Sequence, residues 1–285
     1  MRFVPSWASR ERTPGLLSWE MCIARILVPG SVIGLHGLPG GCGGGTEGNR
    51  RVKFSIVIPA RNEAANIGAC LASIDSASAP YSGQVETIVV LNRCTDATET
   101  IALEHAVRIA RDDSRNLSKI RNAGARMAMG DILLTIDADS RMSANMLVEV
   151  DRKLSSGKFI GGGVPIRPER LSVGIILTGL LVLAFLPGIS AGVFWCYRRD
   201  FEAIGGFDER LVIAEDVDFA RRLQVYGRKE HKRFGTLWRT GIVTSCRKFD
   251  KFGDWFILKR PLMLWRAVRG RDSGISDQLF YDFQR

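Results

Sequence analysis

Asp137 and Asp139, one residue apart at the end of the apolar run Ile132-Leu133-Leu134-Thr135-Ile136, are the first candidates for chemistry in this chain. The run has the composition of a buried strand. Strand side chains alternate between faces, so the two carboxylates are expected to share one face while Ala138 points away. Two hard oxygen donors so placed can address one divalent cation. Acidic pairs also end strands as turn formers or cap the next helix, and the pair alone does not separate these readings. A second pair, Glu215-Asp216, opens a helical pattern, where carboxylates complement the helix dipole.

Strand and helix patterns alternate from Phe54 onward, which predicts an α/β fold with a largely parallel sheet. Strands are expected at 54–58, 85–91 and 107–110, and helices at 62–76, 95–106 and 118–129, leading into the acidic strand. Ligands of such sheets bind beyond the carboxyl ends of the strands. Three polar clusters fall there: Pro59-Ala60-Arg61-Asn62-Glu63, Asn92 to Asp96, and Asp137 to Asp139. The second half predicts an uncharged apolar helix from Leu171 to Leu186, a break at Pro187-Gly188, a strand from Ile189 to Tyr197, and a helix from Glu215 to about Tyr226. Basic residues dominate from Arg221 to Arg271.

The 285 residues carry a formal charge of +10, which calls for an anionic partner: nucleic acid, an anionic membrane surface or a phosphorylated small molecule. Six scattered cysteines without a C-x-x-C pair read as reduced thiols of a cytosolic protein, and with three histidines they argue against a zinc site or a Cys/His enzyme. Residues 1–51, with Pro14, Pro29, Pro39 and a glycine-rich stretch at 40–45, read as a disordered or mis-annotated leader. Residues 52–235 form the expected domain, and 236–285 a basic helical C-terminal extension completing the site or contacting membrane.

The ordered series Ser55-Ile56-Val57-Ile58-Pro59-Ala60-Arg61-Asn62-Glu63, Thr95-Asp96-Ala97-Thr98, Arg121-Asn122-Ala123-Gly124, Asp137-Ala138-Asp139, Gly205-Gly206-Phe207-Asp208 and Glu215-Asp216 resembles the family 2 glycosyltransferases. The resemblance spans about Phe54 to Gly235. It implies a GT-A fold, a Rossmann-like mixed sheet flanked by helices. It implies an inverting transfer of a hexosyl or related sugar from a nucleotide-sugar donor to a hydroxyl acceptor, lipid-linked or part of a cell-envelope glycan. Under it, Pro59, Ala60, Arg61 and Glu63 line the nucleotide pocket, Asp137 faces the ribose or metal, and Asp139 holds Mg²⁺ or Mn²⁺ at the donor diphosphate. Asp216 matches the base that takes the acceptor proton. Leu91 stands where many members have an aspartate that reads uracil, which leaves Asn92 to pair with a base edge and Asp96 to cap the next helix. Family frequency favours a UDP-sugar.

Two basic groups are further candidates. Arg121 either approaches the diphosphate or is a solvated helix side chain, and Ser245, Arg247 and Lys248 either contact phosphate or form a basic loop. The uncharged interval Leu171 to Tyr197 is not expected to cross a membrane, because a crossing would part Asp139 from Asp216. Its helix is either core or interfacial, the latter suited to a cytoplasmic protein peripheral on the inner face of the cell membrane. A nucleic-acid partner is not expected, since the basic region carries no recognised motif. The reading from another class is a non-catalytic nucleotide-sugar- or membrane-binding module on the same fold.

Overall fold

The computed structural model describes residues 52–185, 193–211 and 214–255, all within the unit Asn49–Arg285. The leader 1–51, the Pro187-Gly188 break and the extension beyond Trp255 lie outside the described residues.

Strand β1 (Phe54–Ala60) occupies an interior position in a seven-stranded sheet because its side chains are largely apolar on both faces. Phe54, Ile56 and Ile58 face one way. They join Val89 of β2 (Val85–Leu91) and Leu134 of β4 (Ile132–Ile136), under helices α1 (Ile67–Ser78) and α4 (Met146–Ser155). Val57, Ile88, Val90 and Leu133 face the other way, against α3 (Leu117–Met127), α6 (Arg198–Ala203) and α7 (Glu215–Lys229). Alternation thus feeds two cores from one sheet.

The strand order is β3-β2-β1-β4-β8-β6-β9, with β3 (Val107–Arg111), β6 (Phe159–Gly163), β8 (Val193–Tyr197) and β9 (Arg233–Thr236). The first four run parallel. Strand β8 lies antiparallel to β4 and β6, so the sheet is mixed. Helix α2 (Thr98–Leu103) connects β2 to β3. Pro59 sits in β1 beyond its last pairing with β4, at Val57, where no donor is needed toward that neighbour.

A second sheet, β5-β10-β7, is made of β5 (Ser140–Met142), β7 (Ile166–Pro168) and β10 (Ile242–Thr244). It brings a segment from far along the chain beside the Asp139 turn: Ser245 N donates to Asp139 O at 3.1 Å. Helix α5 (Val173–Phe185) follows β7, and α8 (Arg247–Phe252) follows β10.

Several elements differ from the sequence expectation. Helix α1 begins at Ile67 rather than Asn62, because Asn62 adopts a left-handed φ of 50° and 61–66 form a turn. Strand β4 stops at Ile136, and Ser140 N donates to Asp137 O at 3.0 Å, so a four-residue turn carries both aspartates. The strand alternation expected to align them therefore does not reach them. Ala138 is buried while both neighbours keep access to solvent. The strand expected from Ile189 begins, within the described residues, at Val193. Helix α5 is not core: much of its described surface is exposed.

Candidate active site

Arg121 organises the site. It lies on the inward stripe of α3 with Ser118, Asn122 and Ala125. Its Nη2 donates to Asp137 Oδ1 at 2.9 Å, and its Nη1 donates to Glu215 Oε1 at 2.8 Å. One planar guanidinium therefore holds both the acidic turn after β4 and the start of α7. Burial pulls its pKa down, but Asp137, Glu215 and Asp216 outweigh that and hold it above the usual arginine range.

The floor beneath Arg121 is aromatic. Its guanidinium lies 5.3 Å from the centre of the Phe207 ring, which stacks on Phe219 at 4.5 Å and packs edge-on to Phe201 and Phe194. Asn122 and Phe207 exchange two hydrogen bonds: Nδ2 donates to Phe207 O, and Phe207 N donates to Asn122 Oδ1. Gly124 lets α3 approach the sheet, since a Cβ there would lie 2.4 Å from Val57. The segments Arg121-Asn122-Ala123-Gly124 and Gly205-Gly206-Phe207-Asp208 thus form one support under the charged cluster.

Glu215 and Asp216 enter α7 after Ala214, whose φ of 59° turns the chain sharply. Glu215 is buried, and burial together with Asp216 pushes its carboxyl up to about 7 against the pull of Arg121. Burial also raises Asp216, which keeps partial access to solvent and accepts a hydrogen bond from Val217 N. Arg121 opposes that rise and Asp137 adds to it, so the acids of β4 and α7 sense one another.

On the other side, Asp137, Asp139 and Glu63 all act on the buried Cys70 thiol, which burial and these charges push up. Asp137 is 51% exposed, and Ser140 Oγ donates to Asp139 Oδ1 at 3.4 Å. Among the described residues no third His, Cys, Asp or Glu completes a metal cluster with them. Two accessible carboxylates on one turn fit a hard divalent ion that takes its remaining ligands from water and phosphate oxygens.

The strand-end loops are stitched together. Glu63 N donates to Thr98 Oγ1 at 2.7 Å, Ala64 N donates to Asp96 Oδ2, and Thr95 N donates to Asn62 Oδ1. Asp96 also accepts from Thr98 N, the first residue of α2, although the N-cap position itself is Ala97 and not Asp96 as expected. Ala60 is buried, and its carbonyl accepts from Asn92 N. Arg61 reaches Asn92 Oδ1 at 3.4 Å. Asn92 itself is buried, and its amide donates to the carbonyls of Asp112 and Ser114. Both donors being so engaged, that amide holds the loop after β3 and is not presented to a base edge.

Ser245 and Arg247 reach the same rim from the C-terminal side. Arg247 Nη2 donates to Glu63 Oε1 at 2.7 Å across 184 residues, and Ser245 Oγ accepts from Arg247 N. The Lys248 side chain lies outside the described ones. Sequence reasoning missed the pairing of Arg121 with Asp137 and Glu215, and that of Arg247 with Glu63. For Arg121 a signal existed: a charged residue on the inward stripe of a helix must find a partner. For Arg247 none did, because the contact depends on how β10 pairs.

Comparison with known proteins identifies the family and the fold. The model of the family described as Glycosyl transferase family 2 matches residues 55–170. The chain is 34% identical over 181 residues to the PGL/p-HBAD biosynthesis glycosyltransferase of Mycobacterium bovis, covering 58% of this chain and 67% of that protein. Among solved structures it is similar to S. aureus TarS 1–349 in complex with UDP-GlcNAc, at TM-score 0.56 and 16% identity over 81% of this chain and 71% of that one. It spans 43% of the longer TarS chain. It is also similar to the mannosyltransferase PcManGT from Pyrobaculum calidifontis in complex with GDP-Man and Mn²⁺, at TM-score 0.55 and 22% identity over 78% and 61% of the two chains. The two structural likenesses establish a GT-A fold. With the family match and the ordered motifs around Arg121, they make this chain a member of glycosyl transferase family 2, a glycosyltransferase.

Proposed function

We propose that the protein is a metal-dependent, inverting glycosyltransferase that moves a sugar from a nucleotide-sugar donor to a hydroxyl acceptor. The observation that carries this reading is the pair of hydrogen bonds from Arg121 to Asp137 and Glu215. Through them Asp137, a candidate metal ligand, and Glu215, the neighbour of the candidate base Asp216, belong to one charged cluster.

Asp139 and Asp137 would hold Mg²⁺ or Mn²⁺, which when bound neutralises charge on the departing diphosphate. The remaining work falls to this chain's own side chains. Asp216 takes the proton of the acceptor hydroxyl as its oxygen attacks the anomeric carbon opposite the leaving group, which inverts that centre. Its raised pKa suits a base that must hold a proton during transfer. Arg121 keeps Glu215 in place beside it. Pro59, Ala60, Arg61 and Glu63 form the wall of the nucleotide pocket, and Ser245 and Arg247 close that wall from the C-terminal side. In this reading residues 52–235 are the catalytic domain, and the extension 236–285 completes its site.

A UDP-sugar is the first donor to try, supported by the TarS complex, with a GDP-sugar as the second because PcManGT was solved with GDP-Man. We place the protein in the cytoplasm at the inner face of the membrane. The test is donor turnover by the full chain, with and without manganese, for wild type, Asp139→Asn and Asp216→Asn. Manganese-dependent turnover lost in both variants supports the reading. Full turnover by either variant, or by wild type in chelator, overturns it.

A further inference from the structure

Helix α5 turns its apolar side outward. Its exposed large apolar side chains among the described residues are Val173, Ile176, Leu177 and Leu180, spaced i, i+3, i+4 and i+7 along one face. Its inward face carries Gly174, Ile175 and Thr178 instead. A soluble surface helix has the opposite pattern, so this stripe is built to be covered.

We propose that the stripe docks on an anionic lipid bilayer and that the acceptor is a lipid-borne hydroxyl, an inference that rests on the glycosyl transfer proposed above. The 13-residue helix is about 20 Å long. No helix among the described residues is long and apolar enough to cross a membrane, so α5 would lie in the interface. Exposed apolar side chains also flank it, Leu171 at 72% and Trp255 at 46% exposure. Trp255 is brought there because the carbonyl of Asp254 rests on Gly174, where a Cβ would lie 2.6 Å away. Tryptophan at the edge of an apolar stripe suits the headgroup layer.

Charge selects the bilayer over a second copy. The chain carries +10, and the stretch directly after Trp255 places Lys259, Arg260, Arg266, Arg269 and Arg271 before the next acid. Exposed Arg167 and Arg170 precede α5, which contains no acid, and the nearby Glu169, Asp250 and Asp254 are each paired with an arginine. Two such chains repel one another, whereas an anionic surface attracts each.

The placement also fits a lipid-borne acceptor. Glu169, just before α5, donates its N–H to Thr244 O, and the next residue, Ser245, bonds to the Asp139 carbonyl. Arg170 pairs with Asp250 and Asp254 around α8, whose first residue Arg247 holds Glu63. One short run of contacts thus joins the stripe to the rim of the site.

The experiment is flotation of the full chain with phosphatidylcholine vesicles, with and without phosphatidylglycerol, alongside light scattering and donor hydrolysis in vesicle-free buffer. Binding is expected with phosphatidylglycerol, weakened by salt. Ile176→Asp and Leu177→Asp should each reduce it by roughly tenfold or more, with unchanged thermal unfolding and unchanged hydrolysis. Leu180→Asp serves if either variant fails to fold. Three results would overturn the inference: absence of flotation with both vesicles, flotation indifferent to all three substitutions, or a dimer in light scattering that the substitutions disperse. Hydrolysis retained without flotation would sink the bilayer contact alone, and flotation without hydrolysis would sink the transferase reading instead.

Discussion

Arg121 donates to Glu215 at 2.8 Å with both side chains almost wholly buried, so each charge depends on the other for compensation. Removing one partner of such a pair typically costs about 3–5 kcal/mol, because a buried charge is left alone. Arg121→Ala is expected to lower unfolding free energy by about that amount and to abolish transfer. Arg121→Lys restores the charge but not the two-pronged geometry, so it should recover more stability than activity. Urea denaturation and turnover measured on both variants check this, and equal recovery of the two would contradict the positioning role.

The Asp139 turn can be separated from folding. Asp139→Asn keeps the size of the side chain and the backbone contact from Ser245, so thermal unfolding should stay near wild type. Turnover should fall by roughly 10²-fold or more. Isothermal titration with manganese and donor should show weakened joint binding.

The acid limb of the rate profile should reflect the raised pair on α7. Glu215 is held at about 7 and Asp216 lies above its usual 3.8, and because they interact the limb belongs to both. Transfer is expected to decline as pH falls through that raised range, since a protonated base cannot accept the acceptor proton. A limb at or below the usual aspartate value of 3.8 would count against Asp216 as base.

Asp200 provides a stability test away from the site. It is buried in α6, its Oδ2 has no hydrogen-bond partner among the described residues, and burial raises its pKa. A carboxyl that binds its proton more tightly when folded contributes stability below about 3.8, and loses it as pH rises through the raised folded value. Asp200→Asn should therefore be more stable than wild type at neutral pH, by about 1 kcal/mol or more, with the gap closing in acid. Melting temperatures across pH would show whether the curves converge.

Arg247 ties the C-terminal side of the rim to Glu63. Arg247→Ala should raise the donor KM more than it lowers kcat, because it loosens a wall and leaves Asp216 untouched. An unchanged KM in steady-state kinetics would remove Arg247 from the pocket.

The amino-acid order by itself determined the strands β1, β2 and β4, the two-core alternation and the candidate acids, because each depends on periodicity or on motifs a few residues long. Asn92 shows where that legibility ends. Its type allows base pairing, and only the fold reveals its amide directed at Asp112 and Ser114. The closeness of Asp137 and Asp139 was legible too, whereas the strand alternation expected to align them ends at Ile136, and a turn carries both. Tertiary structure alone decided that Arg121 spans Asp137 and Glu215, that Arg247 meets Glu63, and that the apolar side of α5 faces outward. Those contacts join residues 16 to 184 positions apart, and no local pattern of side chains encodes which distant surface a helix or a paired strand will meet.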